Sequence, residues 1–402
     1  MAAQRFVVSM DKPGGIDSEG LALPQPDADA VAYSNRLVEA IVARIDDRGG
    51  VIGFDEYMRM ALYEPGLGYY SGSAIKFGVF GDFVTAPEIS PLFGNCLARQ
   101  ASELIAQGCA ARILEFGAGS GKLCGHILSA LPSLERYLIL DLSADLKQRQ
   151  QFYLSTCLDA EQLQKVEWLT SLPETFDGIV IANEVLDAMP VQLLYKQQDW
   201  QEVGVGYDGE RFEWRYYEPS ERPLAAIRQI ESRLGDLPDD YRCEVNLNFG
   251  PWFAALAQSC RKAAVFIIDY GYEQSEYYSP SRKRGTLDCY YRHRLHFDPL
   301  IFPGLQDITA FVDFDACADA AEASGFEPLG LVSQGQFLLA NGLLEDAQRQ
   351  SQDADVHEQL ALSQQVKTLS MPDEMGQQFQ VLALQKQLSL EMPAMRRGRA
   401  GG

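Results

Sequence analysis

Between residues 111 and 200, short uninterrupted apolar runs alternate with helical stretches, and this alternation constrains the fold more than any other feature. Arg112–Phe116, Tyr137–Leu142, Val166–Leu169 and Asp177–Ala182 read as strands, with helices around Leu123–Leu131 and up to about Cys157. A strand that is apolar at nearly every position must be covered on both faces, as in a parallel sheet flanked by helices. The spacing therefore predicts an α/β protein with a Rossmann-like, mostly parallel sheet. A fifth strand is expected at Ala264–Asp269, after a helix near Pro251–Arg261. Pro328–Val332 and Gln380–Leu384 are the candidates for the last two, with a Gln-rich helical insert between them.

Other segments have different patterns. Residues 1–28, rich in Gly, Pro and Asp, read as a disordered leader, and 391–402 as a disordered tail. Residues 29–108 form an expected N-terminal helical and loop cap. Leu37, Val38, Ile41, Val42 and Ile45 share one helix face, Met58 and Leu62 mark a second short helix, and Ser90-Pro91 opens a third. The core is expected over 109–390, with insertions at about 191–250 and 272–308. Residues 191–217 alternate like an antiparallel ribbon turning at Tyr207–Glu210.

Composition excludes several classes. With 34 basic against 56 acidic side chains the formal net charge is −22, a field that repels phosphate backbones, so no nucleic acid is expected. Eight scattered cysteines without a CxxC pair, and only four histidines, argue against a disulfide framework or a metal centre. No apolar run is long enough for membrane insertion. An acidic N-terminus without an apolar h-region argues against secretory or mitochondrial targeting, so a cytoplasmic location is expected.

The sharpest motif is Glu115-Phe116-Gly117-Ala118-Gly119-Ser120-Gly121, at the end of one strand and the start of a helix. Glycines there allow a tight turn and a close ligand approach. The GxGxxG dinucleotide fingerprint is not satisfied, because the sixth position is Lys122. An acid two residues before the first glycine disfavours a pyrophosphate and suits a ligand with an ammonium and a sulfonium, namely S-adenosylmethionine. A nicotinamide or flavin site and an unliganded turn remain the alternatives. Asp141, ending the second strand, is placed to accept hydrogen bonds from ribose hydroxyls. After the fourth strand comes Asn183-Glu184-Val185-Leu186-Asp187-Ala188-Met189-Pro190. Glu184 and Asp187, three apart, would project from one side of a helical turn, where paired carboxylates suit a guanidinium.

Gly81-Asp82-Phe83-Val84-Thr85-Ala86-Pro87-Glu88-Ile89-Ser90, followed by Phe93-Gly94, resembles the signature of the MidA-like methyltransferases. These are relatives of the mitochondrial complex I assembly-factor methyltransferase. Tyr63-x-Pro65-x-x-Gly68-Tyr69-Tyr70, Asn183-Glu184-x-x-Asp187-Ala188-x-Pro190, Asp269-Tyr270-Gly271 and Asp307-Ile308-Thr309-Ala310-x-Val312-Asp313-Phe314 are similar to its other blocks. One departure is Ala118, where the family often has proline.

The resemblance implies a class I methyltransferase fold and S-adenosyl-L-methionine as cofactor. It also implies a protein substrate methylated on arginine, for the mitochondrial relatives a respiratory-complex subunit. On this reading Glu184 and Asp187 are catalytic. Glu115, Gly117, Gly119, Gly121, Asp141, Asn183, Asp82, Phe83 and Thr85 line the cofactor, and the loop from Gly81 to Ser90 covers it. A basic, aromatic island at Ser281–Arg294 reads as part of the substrate cleft, with neutralisation of the fold's own acids and stacking on RNA as the alternatives. A small-molecule methyltransferase and an assembly chaperone with dispensable activity are the competing readings. The sequence leaves the oligomeric state open.

Overall fold

The computed structural model describes residues 18, 20–72, 85–141, 144–352 and 354–395. The chain divides into two compact units, each built from discontinuous segments. The first comprises 1–83, 187–248 and 273–313, and the second 84–186, 249–272 and 314–402.

The second unit carries the sheet that the apolar runs predict. Its strands are β1 (Arg112–Phe116), β2 (Arg136–Leu140), β3 (Val166–Leu169), β4 (Phe176–Asn183), β5 (Cys260–Tyr272), β6 (Glu327–Ser333) and β7 (Phe379–Lys386). They lie side by side in the order β6-β7-β5-β4-β1-β2-β3. β3, β2, β1, β4 and β5 pair in parallel, whereas β7 runs antiparallel to both β5 and β6. The expected α/β class and the mainly parallel sheet are thus observed. β5 is longer than the predicted six residues because it pairs along its length with β4 on one side and β7 on the other. Its stretch from Ala263 to Tyr270 is buried throughout.

Helices cover this sheet. Pro91–Ala106 starts with Pro91 at its first position, and the Ser90 hydroxyl accepts the Leu92 amide at 3.2 Å. It lies close to Lys122–Ala130: a side chain at Gly94 would place its Cβ 2.4 Å from the His126 Cβ, so only glycine permits this approach. Four helices separate β6 from β7, at Gln334–Ala340, Leu343–Ser351, Val356–Ser370 and Met375–Gln378. The tail boundary needs correction. Met392 and Met395 belong to the core of this unit, so residues 391–395 are packed, and 396–402 lie outside the described residues.

The first unit is antiparallel. Ile52–Gly53, Trp200–Tyr207, Gln192–Lys196 and Tyr241–Val245 pair in that order, and Phe212–Tyr217 also pairs with Trp200–Tyr207. The ribbon turn at Tyr207–Glu210 is where the sequence placed it. A smaller sheet joins Arg294–His296, Leu287–Tyr291 and Asp307–Ala310. The helices Ala28–Asp47 and Phe54–Tyr63 pack Leu37, Ile41, Ile45, Phe54 and Tyr57 into one core with Leu193, Val203, Val205 and Ile308. The leader boundary also moves: Leu23 is buried against Tyr291 and Phe302, and Asp27 caps the first helix through the Ala30 amide at 2.9 Å. Residues 1–17 and 19 lie outside the described residues. Among the described residues no helix is long and apolar enough to cross a membrane, and no His/Cys/Asp/Glu group could hold a metal ion.

Candidate functional site: the carboxyl ends of β1, β2 and β4

The chain leaves β1 for β2 and β3 on one side of the sheet, and β4 and β5 build on the other. The strand order therefore switches between β1 and β4, whose carboxyl ends open the crevice where α/β sheets take ligands. The predicted motifs converge on this edge of the second unit. The glycine turn follows β1, Asp141 follows β2, Asn183 ends β4 and Glu184 comes directly after it.

Gly117, Gly119 and Gly121 all have positive φ, at 59°, 54° and 86°. Side chains disfavour this left-handed region, which is why the sequence keeps glycine at three alternate positions. The Gly117 amide donates to the Leu140 carbonyl at 3.0 Å, tying the turn to the end of β2. An added Cβ at Gly117 would touch the Val185 side chain at 3.4 Å, and one at Gly121 would press on Gln150 at 3.4 Å.

Glu115 is buried, and its Oε2 accepts from the Tyr137 hydroxyl at 2.8 Å. Burial pushes its carboxyl up to about 8. The Tyr137 bond opposes this shift and the nearby Asp141 charge adds to it. The carboxyl thus keeps its proton from 4.5, where an ordinary glutamate releases it, up to about 8. Asp141 accepts from Gln150 Nε2 at 3.0 Å, and the same nitrogen reaches the Gly119 carbonyl at 3.0 Å.

Asn183 is buried, and its Nδ2 donates to Glu184 Oε1 at 3.2 Å. Its Oδ1 finds no hydrogen-bond partner among the described residues. The expected helical turn carrying Glu184 and Asp187 is not formed. Residues 184–190 are bends and turns, and Glu184 itself has φ +53°. The cause is Asp269 on β5. This fully buried carboxylate accepts the backbone amides of Val185 at 3.2 Å and Leu186 at 3.0 Å, while the Glu184 amide donates to the Ile268 carbonyl at 2.8 Å. These bonds direct the chain out of β4 along a non-helical path. A non-glycine residue in this conformation costs on the order of 1 kcal/mol or more, and such strain clusters at functional sites.

Glu184 belongs to the second unit and Asp187 to the first. Within the first unit, the Asp187 carbonyl accepts the Ala310 amide at 3.0 Å, and the next carbonyl, of Ala188, accepts from the Tyr63 hydroxyl at 2.9 Å. The Tyr70 hydroxyl donates to both Asp307 oxygens, at 2.9 and 2.8 Å. Burial, then the Asp307 and Asp187 charges, push the Tyr70 phenol well above its usual value.

Of the expected covering loop, Asp82 and Phe83 lie outside the described residues. Thr85 precedes the short helix Ala86–Ile89, and its carbonyl accepts the Glu88 amide at 2.9 Å. Glu88, not singled out from the sequence as a site residue, accepts from the Ser120 hydroxyl and pairs with Lys122 Nζ at 2.6 Å. It thereby ties this segment to the glycine turn. Gln150 and Asp269 were likewise missed. Asp269 and Glu88 stood within quoted motifs, but nothing in Gln150's local sequence distinguishes it from a solvated helix residue.

The sheet order, the glycine turn after β1 and the acid after β2 define a class I methyltransferase. The comparisons agree: residues 95–332 match the family described as "Putative S-adenosyl-L-methionine-dependent methyltransferase". The chain belongs to this family of S-adenosyl-L-methionine-dependent methyltransferases, and S-adenosyl-L-methionine is its cofactor. It is similar to the "Protein arginine methyltransferase NDUFAF7, mitochondrial" of Danio rerio, with 30% identity over 83% of each chain. The protein of that name in Homo sapiens is 29% identical, over 83% of this chain and 80% of its own. Among solved structures, a superfamily member from Burkholderia thailandensis bound to S-adenosyl-homocysteine is 40% identical. It has a TM-score of 0.87 and covers 94% of this chain and 98% of its own.

The residues present fit the cofactor. The glycine backbone leaves room beside Val185, Asp141 supplies an acceptor for hydroxyls, and the partnerless buried Oδ1 of Asn183 supplies one for a cation.

Proposed function

We propose that this enzyme methylates arginine side chains of a protein. When bound, S-adenosyl-L-methionine supplies an electrophilic methyl group on a sulfonium. Gly117, Gly119 and Gly121 admit the cofactor to the backbone, Asp141 accepts from its ribose hydroxyls, and Asn183 Oδ1 accepts from its ammonium. Thr85, carried on the turn that Glu88 ties to Ser120, borders the same site. Glu184 accepts from the guanidinium N–H groups. This would orient one nitrogen for methyl transfer and supply an acceptor for the proton it sheds. Aligning a nucleophile matters more here than a strong base.

One observation carries the proposal: Glu184 is held in a strained backbone conformation at the carboxyl end of β4, braced by Asp269. A carboxylate fixed at that cost suits a cationic acceptor. The names of the relatives in fish and mammals support arginine as the acceptor. The sequence resemblance supports a respiratory-complex subunit as the protein that bears it.

The test is incubation with methyl-labelled cofactor and arginine-containing acceptor peptides, each beside a lysine-for-arginine counterpart. Acid hydrolysis should release labelled methylarginine from the first set only. Label on another side chain would remove the arginine reading and leave the family assignment intact.

A further inference from the structure

Gln150 lies mid-way along the helix Ala144–Cys157 and is fully buried. A buried amide must satisfy both ends, and this one does. Its Nε2 donates to Asp141 Oδ2 and to the Gly119 carbonyl, each at 3.0 Å, and its Oε1 accepts from the Trp168 indole N–H on β3 at 3.0 Å.

The indole decides which way the amide faces. Trp Nε1–H is a donor only, so a flipped amide would set N–H against N–H and carbonyl against carboxylate. Trp168 therefore locks the two N–H groups toward Asp141 and Gly119. One amide, fixed from behind by a third strand, couples the glycine turn of β1 to the acid after β2. Its aliphatic stem lies behind the turn as well, where a Cβ on Gly121 would meet it at 3.4 to 3.5 Å.

We propose that Gln150 is a positioning residue for cofactor recognition: with Trp168 it fixes the Asp141 carboxylate and the Gly119 turn in one geometry, and so sets the enzyme's selectivity for the ribose hydroxyls. The inference rests on the reading of Asp141 as the ribose acceptor. Losing a hydrogen bond to a charged group weakens a complex by about tenfold or more, so it should be visible in ligand affinity.

The experiment is calorimetric titration of the full chain with S-adenosylhomocysteine and with its counterpart lacking both ribose hydroxyls, with melting temperatures recorded in parallel. Wild type should prefer the hydroxylated ligand by about 100-fold, the scale of two lost hydrogen bonds to a charged acceptor. Gln150→Met should lower affinity for S-adenosylhomocysteine by about 10- to 30-fold and leave the other ligand within about threefold, collapsing the preference. Gln150→Glu keeps the shape but removes both donors and sets a second charge beside Asp141, so it should be at least as defective as Gln150→Met. Trp168→Phe releases the amide to flip and should give a smaller loss of the same preference, which keeps the question open to measurement if Gln150→Met melts early.

Equal weakening of both ligands would reduce Gln150 to packing and overturn the proposal, as would an unchanged preference in Gln150→Met. A wild-type chain indifferent to the ribose hydroxyls would instead overturn the role of Asp141, and this inference with it.

Discussion

The two units bury their strands differently, and that difference governs what each can hold. In the second unit β1, β4 and β5 are covered on both faces, so their sequences are apolar almost throughout and polar groups gather at the strand ends. The first unit uses antiparallel pairing, and its strand Phe212–Tyr217 runs from a buried Phe212 to an exposed Arg215 and Tyr216. Its aromatic residues reach the core from helices and hairpins, as with the Tyr57–Phe212 pair at 5.6 Å and the Phe54–Trp214 pair at 5.5 Å. Parallel strands thus focus chemistry at one edge, whereas antiparallel strands spread it over faces.

The largest expected effect tests whether these cores are separable. Phe54→Ala should cost about 3–5 kcal/mol in a urea melt, as large aromatic truncations in cores do. If the cofactor edge belongs to the second unit alone, S-adenosylhomocysteine affinity below the unfolding transition should stay within about twofold of wild type, well under the tenfold that 1.4 kcal/mol represents. A large loss would break the comparison.

Next comes the pH dependence of Glu115. Its carboxyl holds a proton up to about pH 8 in the folded chain, whereas an unfolded glutamate releases it near 4.5. The folded state binds the extra proton in that window, so its contribution is full below the unfolded value and is lost as pH rises through about 8. Glu115→Gln should remove that decline. Its unfolding free energy should gain on wild type from pH 6 to 8.5, by a difference on the order of a few kcal/mol, as read from urea melts at each pH. A constant gap would mean that the carboxyl titrates normally.

Gly119→Val forces a β-branched residue to a φ near +54°. The backbone penalty, about 1–2 kcal/mol and more for a branched side chain, should cut S-adenosylhomocysteine affinity by about 30- to 100-fold. Retained binding would dissociate the turn from the cofactor. Glu184→Gln keeps shape but loses charge, so turnover should fall about 10- to 30-fold with cofactor affinity unchanged. Unaltered turnover would remove Glu184 from the acceptor site. Smallest is Glu88→Gln, which weakens the tie to Ser120 and Lys122. A two- to fivefold loss of cofactor affinity is expected, equivalent to roughly 0.5–1 kcal/mol, and calorimetry would show it.

Much of the second unit was legible because its signals are local. An apolar run, a glycine turn and a terminal acid are contiguous in sequence, and the helix start at Ser90-Pro91 needs only its own neighbours. The first unit was legible as a ribbon but not as a unit, because its sheet pairs Ile52 with Val205 and Leu194 with Cys243 across long separations. The boundaries at both ends were misjudged for the same reason. Leu23 and Met395 lie in short, proline-punctuated segments that show no period, and only distant partners bury them.

By itself the sequence determined the α/β class, the glycine turn and the strand-end acids, since hydrophobic period and backbone freedom are properties of neighbouring residues. Only the tertiary structure decided that Glu184 sits in a left-handed bend and not on a helical turn, because the cause is Asp269, 85 residues further along the chain. It also decided that Gln150 and Trp168 brace Asp141. A buried hydrogen bond between remote segments leaves no periodicity to read, yet it fixes where the functional groups stand.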